Sequence, residues 1–97
     1  MNYLKKYGLT DEDIDEIYDN LSDEDWYTIN CMDTRVKKIL DYFNSLGITN
    51  FKDMFIYKPN IFNQHVDEIE NYINESNIPD IVEKLKEDVT NFDLLGI

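Results

Sequence analysis

Five carboxylates fall within six positions in the run D-E-D-I-D-E that begins at Asp11. Acids at the first, third and fifth places of such a run are what an EF-hand calcium loop uses, but here Glu16 stands where the turn glycine belongs. Ser22 stands where the bidentate glutamate belongs. On a helix, Asp11 and Asp15 share one face and Glu12 and Glu16 another. That pattern suits the positive end of the helix dipole and supplies neither a nucleophile nor a proton relay. The single histidine, His65, and the single cysteine, Cys31, belong to no H-E-x-x-H, C-x-x-C or G-x-S-x-G pattern, and no glycine-rich loop is placed to cradle a phosphate. The residues therefore predict no enzyme, no metal and no cofactor. A lone thiol forms no internal disulfide and fits a reducing cytoplasm.

These residues must be carried by a scaffold of 97 residues, the length of one domain spanning 1–97. A 42% hydrophobic fraction with 13% aromatics is enough for a small core. No stretch approaches the roughly 18 apolar residues of a membrane span, and the N-terminus MNYLKKYGLTDED lacks the apolar run of a signal peptide. Net charge is −12, unevenly placed. Residues 1–32 carry two lysines against nine acids, residues 63–97 two against nine, and residues 33–62 five basic residues against three acids. The ends repel phosphate backbones at long range, while the middle is mildly basic.

The scaffold reads as all-α, with about six short helices. In TRVKKILDYFNSL, the residues Val36, Ile39, Leu40, Phe43 and Leu46 form one stripe of a 3.6-residue helix over 34–46, with Asp33 as N-cap and Gly47 as the left-handed stop. A second long helix over 64–76 carries Val66, Ile69 and Ile73, with Asn63 as its cap. Shorter helices follow capping signals at Thr10 to Asp13, Ser22 to Asp25 and Asn50 to Asp53. Pro79 opens a last helix striped by Ile81, Val82, Leu85 and Val89.

The pattern repeats. At an offset of 30, Asp33, Val36, Ile39, Tyr42, Phe43 and Ile48 fall on Asn63, Val66, Ile69, Tyr72, Ile73 and Ile78. At an offset of 39, Tyr3, Leu4, Gly8 and Leu9 fall on Tyr42, Phe43, Gly47 and Ile48. Units this short cannot bury their own apolar faces, so two to three of them must stack. Apolar surface at Met1 and beyond Phe92, Leu94 and Leu95 must then be covered, either by the tail folding back or by a second copy in a homodimer.

The segment VKKILDYFNSLGITNFKDMFIYKPNIF, through Leu46, Gly47, Met54, Phe55, Pro59, Ile61 and Phe62, resembles a repeat of the mitochondrial transcription termination factor (mTERF) family. The resemblance covers roughly residues 34–78. It implies a superhelical stack of repeats that binds nucleic acid through basic side chains, here Arg35, Lys37, Lys38, Lys52 and Lys58. The strongly acidic composition runs against that function.

The residues favour instead a non-enzymatic acidic module that binds a protein partner with a basic or mixed surface. Its candidate contacts are Asp11, Asp15, Tyr18, Glu24, Asp25, Trp26 and Tyr27. For Trp26 burial is the first expectation, because a chain this small needs its largest side chain inside. A nucleic-acid mimic that inhibits a DNA- or RNA-binding protein is the alternative, and nucleic-acid binding through the basic middle a further one.

Overall fold

In the computed structural model, which describes residues 2–97, helix follows helix with no strand among those residues. A 3-10 helix, Asn2–Tyr7, leads into α1 (Asp11–Asn20), α2 (Asp23–Cys31), α3 (Asp33–Ser45) and α4 (Phe51–Tyr57). A second 3-10 helix, Pro59–Asn63, precedes α5 (Val66–Glu75) and α6 (Ile81–Glu87), and a third, Val89–Leu95, ends the chain. The all-α expectation holds. With the 3-10 segments included, the described residues hold more helical elements than the six or so expected.

Local chemistry explains most of the helix starts. Thr10 closes a full capping box on α1: its hydroxyl accepts from the Asp13 N–H at 3.1 Å, and the Asp13 carboxylate accepts from the Thr10 N–H at 3.0 Å. Ser22 caps α2 by accepting from the Asp25 N–H at 3.2 Å. The other expected caps are corrected. α3 begins after Met32 and α5 after His65, so neither Asp33 nor Asn63 serves as N-cap. The backbone N–H of His65 instead donates to the Glu68 carboxylate at 3.0 Å. Asn50 does stand at the N-cap position of α4 but makes no side-chain cap bond; its amide N–H donates to the Leu85 carbonyl at 3.1 Å and ties the start of α4 to α6. Pro79 sits in the turn ahead of α6 rather than inside it, and Asp80 takes the left-handed conformation at φ 56°.

Packing follows the apolar stripes. Val36, Ile39, Leu40 and Phe43 on α3 are buried, as are Ile69 and Ile73 on α5, and these two helices lie against each other. Leu46 and Val66 are only partly buried. α1 packs on α4, and α2 packs on α3 and on Pro59–Asn63. Phe55 and Phe62 stack with centroids 4.2 Å apart, and Phe92 meets Phe43 edge-on at 5.4 Å. The tail thus returns onto the core through Val89, Phe92 and Ile97, while Leu94 stays exposed.

Element boundaries recur at an offset of 30: α4 and α6 occupy 51–57 and 81–87, and 3-10 helices start at 59 and 89. Gly47 and Asn77, after the two long helices, both have positive φ (78° and 55°). Phe55 and Leu85 are buried at equivalent places, as are Phe62 and Phe92. At the offset of 39, Gly8 has φ 86°, and Leu9, like Ile48, is buried.

Gly47→Ala is expected to cost about 1–2 kcal/mol, the penalty of a side chain in the left-handed region; the Cβ would come within 3.2 Å of the Lys86 Nζ, the tip of a side chain that can swing aside. Asn77→Gly, placing the same residue at the corresponding turn, should leave stability within about 0.5 kcal/mol. Denaturant unfolding measures both, and a larger loss from Asn77→Gly would show that the two turns do different work.

Candidate functional site

α1 and α2 carry the seven residues expected to meet a partner, and the structure separates them. Asp11, Asp15 and Tyr18 lie four and three positions apart on α1, hence on one face, and all three are exposed. Asp11 is held by Lys5 at 2.7 Å. Tyr18 is 54% exposed and Tyr27 59%. Trp26, expected inside, is 39% exposed. The reason is its phase on α2. Thr28 and Ile29 turn inward and Asp25 is drawn halfway with them, so Trp26 falls on the border of the buried face rather than within it. Phe43, Phe55, Phe62 and Phe92 fill the core instead.

Asp25 is a structural residue. Its carboxylate accepts from the Ser22 hydroxyl at 2.9 Å and from the Asn63 amide at 3.2 Å. The Asn63 side-chain oxygen in turn accepts from the Thr28 hydroxyl at 2.8 Å. Thr28 is buried, so this bond satisfies a hydroxyl largely removed from water. Glu24 and Tyr27 lie elsewhere on α2, on an exposed stripe that continues to Cys31.

The basic middle is largely committed within the chain. The Arg35 guanidinium donates to the Gln64 carbonyl at 3.1 Å and to the Asn63 carbonyl. Lys37 pairs with Asp33 at 3.4 Å and lies over the Tyr3 ring. Lys52 bridges Asp13 and Glu16 at 3.3 and 2.8 Å, and Lys58 pairs with Asp93. Lys38 alone of the five makes neither an ion pair nor a side-chain hydrogen bond among the described residues, Arg35 being held by carbonyls rather than by a carboxylate. By the same measure Glu12, Asp15, Asp19, Asp23 and Glu24 have no intrachain cation.

Lys38 stands on the wall of a feature absent from the sequence reading. A groove of about 510 Å³ opens where the end of α2 meets the starts of α3 and α5, lined by Cys31, Met32, Lys38, His65, Val66 and Asp67, with Arg35 beside them. Its residues come from two segments, 31–38 and 65–67, about thirty positions apart, and no local pattern in the sequence signals that they meet. Among the described residues, no three His, Cys, Asp or Glu side chains converge to hold a metal ion, and no helix is long and apolar enough to cross a membrane.

Titration behaviour follows the contacts. Hydrogen bonding to the Thr10 backbone lowers the Asp13 pKa; burial opposes it, and the Thr10 hydroxyl and Lys52 add to the lowering. Tyr7 is pushed up to about 12, first by burial and then by donating to the Asp41 carboxylate at 2.8 Å. Tyr3, whose hydroxyl donates to the Ile29 carbonyl at 2.6 Å, is raised by burial, by Asp33 and by Tyr7. Comparison with known proteins finds no family model, no curated protein and no solved structure that matches the chain.

Asn63→Ala is expected to cost about 1 kcal/mol, the ordinary worth of lost hydrogen bonds, since the Thr28 hydroxyl keeps the Glu24 carbonyl at 3.3 Å. Thr28→Val should then add little, because the hydroxyl it removes has already lost that partner; additive losses in a double-mutant cycle would refute the coupling. Tyr7 holds its proton more tightly folded than unfolded, where phenols ionise near 10. Its contribution to stability is thus complete below about pH 10 and lost as pH rises toward about 12. Tyr7→Phe should flatten that alkaline decline in thermal unfolding, and an unchanged slope would assign the decline to other groups.

Proposed function

We propose that the chain is a non-enzymatic, acidic helical module that binds a protein partner through α1 and α2. One observation carries this reading: Trp26 and Tyr27 are exposed on a helix whose acids Asp23 and Glu24 meet no cation among the described residues. Exposed aromatics on rigid helices supply contact area at small entropic cost, and uncompensated carboxylates steer a basic surface toward them. The proposed footprint differs from the seven residues first chosen by the exchange of Asp11 and Asp25 for Asp19 and Asp23. Asp11 and Asp25 serve the fold, and Asp15, Tyr18, Asp19, Asp23, Glu24, Trp26 and Tyr27 form the contact set.

The reading takes residues 33–62 and 63–95 as tandem units of an mTERF-like helical repeat. What supports it is the common order of long helix, left-handed turn, seven-residue helix and 3-10 segment, at an offset of 30. Nucleic-acid binding does not come with the repeat. Four of the five basic residues that would touch phosphate are spent on carbonyls or carboxylates of the chain itself, and each free phosphate contact is needed for counterion release. The same free carboxylates support a second reading, a nucleic-acid mimic that occupies the basic groove of a DNA- or RNA-binding protein.

Titration with a duplex DNA oligonucleotide and with an arginine-rich protein, each at low and physiological salt, tests both. Binding to DNA should be no tighter than about 1 µM at physiological salt, the range of non-specific contacts. The arginine-rich protein should associate faster as salt falls, and Asp15, Asp19, Asp23 and Glu24 changed together to Lys should slow that association about tenfold or more. Tight, salt-sensitive DNA binding abolished by Arg35, Lys37 and Lys38 to Ala would overturn the proposal in favour of the basic middle.

A further inference from the structure

Asp23 lies three positions before Trp26 and four before Tyr27 on α2, so both rings are its neighbours on the helix surface. Helical side chains lean toward the N-terminus and cover the turn before their own. The indole and the phenol therefore stand on either side of the Asp23 carboxylate, and all three residues are exposed. Neither ring meets another aromatic ring or a cation among the described residues, although Lys37 over the Tyr3 ring makes such a contact elsewhere in the chain. Asp23 likewise meets no cation among them, nor does Glu24, three positions before Tyr27. A carboxylate between two open aromatic faces complements a cation that is itself flat and weakly hydrated.

We infer that Asp23, Trp26 and Tyr27 form a recognition site for an arginine side chain of the partner protein. The guanidinium donates its fork of N–H groups to the Asp23 carboxylate and lays its plane on the Trp26 indole, with Tyr27 closing the other side and Glu24 adding negative charge. A lysine ammonium carries the same charge, but it is more strongly hydrated and has neither the fork nor the plane. The site thus reads arginine and not positive charge alone. The inference rests on the proposed protein-binding function and names the group that the partner presents and the three side chains that receive it.

Trp26 is the chain's single tryptophan, so its emission reports on the site without a label. The probes are a short arginine peptide, a lysine peptide of equal length and a trimethyllysine peptide of equal length, each titrated against the full chain at low and physiological salt, with affinities measured by calorimetry. The arginine peptide should change the Trp26 emission and bind about fivefold tighter than the lysine peptide, the scale of a single cation–π contact. Asp23→Asn and Trp26→Leu should each remove most of that preference, and the exposed Asp23 keeps the test valid where loss of the indole unfolds the chain. Asp67→Asn, an equal change of charge at an exposed position of α5, should leave the preference intact. Equal binding of the arginine and lysine peptides, binding that leaves the emission unmoved, or a preference that survives both α2 variants would overturn the arginine site while leaving an acidic binding module intact. Tightest binding of the trimethyllysine peptide would assign the aromatic pair to a quaternary ammonium and overturn the guanidinium. Failure of every peptide to bind at low salt would overturn the module as well.

Discussion

Arg35 holds the two halves of the chain in register. Its guanidinium takes the carbonyls of Asn63 and Gln64, which end one 3-10 helix just before α5 begins and would otherwise lack helical partners. A planar, permanently charged fork suits two neighbouring carbonyls in a way a lysine ammonium does not. Next to it, the Asn63 side chain links Thr28 and Asp25 of α2 to the same junction. Three helices are thereby set at one point, and the groove that opens there has its shape from these bonds. The polar junction does work that apolar burial alone leaves undone, since burial favours contact without choosing one relative placement.

Charge in this protein is divided between structure and surface. Lys5, Lys37, Lys52, Lys58 and Lys86 each meet a carboxylate of the chain. Exposed pairs of this kind contribute little to stability individually, but they neutralise the basic middle as a surface for phosphate. Carboxylates without an ion pair among the described residues remain on α1, α2 and α5, and together they give the molecule its acidic surface. Glu12, Asp23 and Glu24 stand in the first turns of their helices, where the dipole favours an anion, whereas Asp15 and Asp19 lie beyond the first turn of α1 and gain nothing from it.

Much of the scaffold was legible in the residue pattern because it depends on local rules. Helical periodicity located α3 and α5 to within two residues and named most of their buried side chains, and Thr10 with Asp13 announced α1. Glycine at 47 marked a turn that a side chain resists. The offset of 30 was visible because apolar and turn positions must recur wherever similar elements recur. Asn63 was misjudged as a cap for a physical reason, since a residue suited to capping also suits a tertiary hydrogen bond and the buried Thr28 hydroxyl competes for it; Asp33 lies one place inside α3, where it pairs with Lys37.

The sequence by itself determined helix content, the order of elements, the acidic ends and the absence of recognisable catalytic motifs, since each depends on residue type and near-neighbour spacing. Only the tertiary structure decided which charges remain free, because Lys52 meets Glu16 and Lys58 meets Asp93 across more than thirty positions of chain. It likewise decided that Trp26 faces solvent while four phenylalanines fill the core, and that Cys31, Lys38 and Val66 share one groove. Such outcomes depend on how helices are placed against one another, and that placement is set by long-range packing and polar bonds that no local window of residues contains.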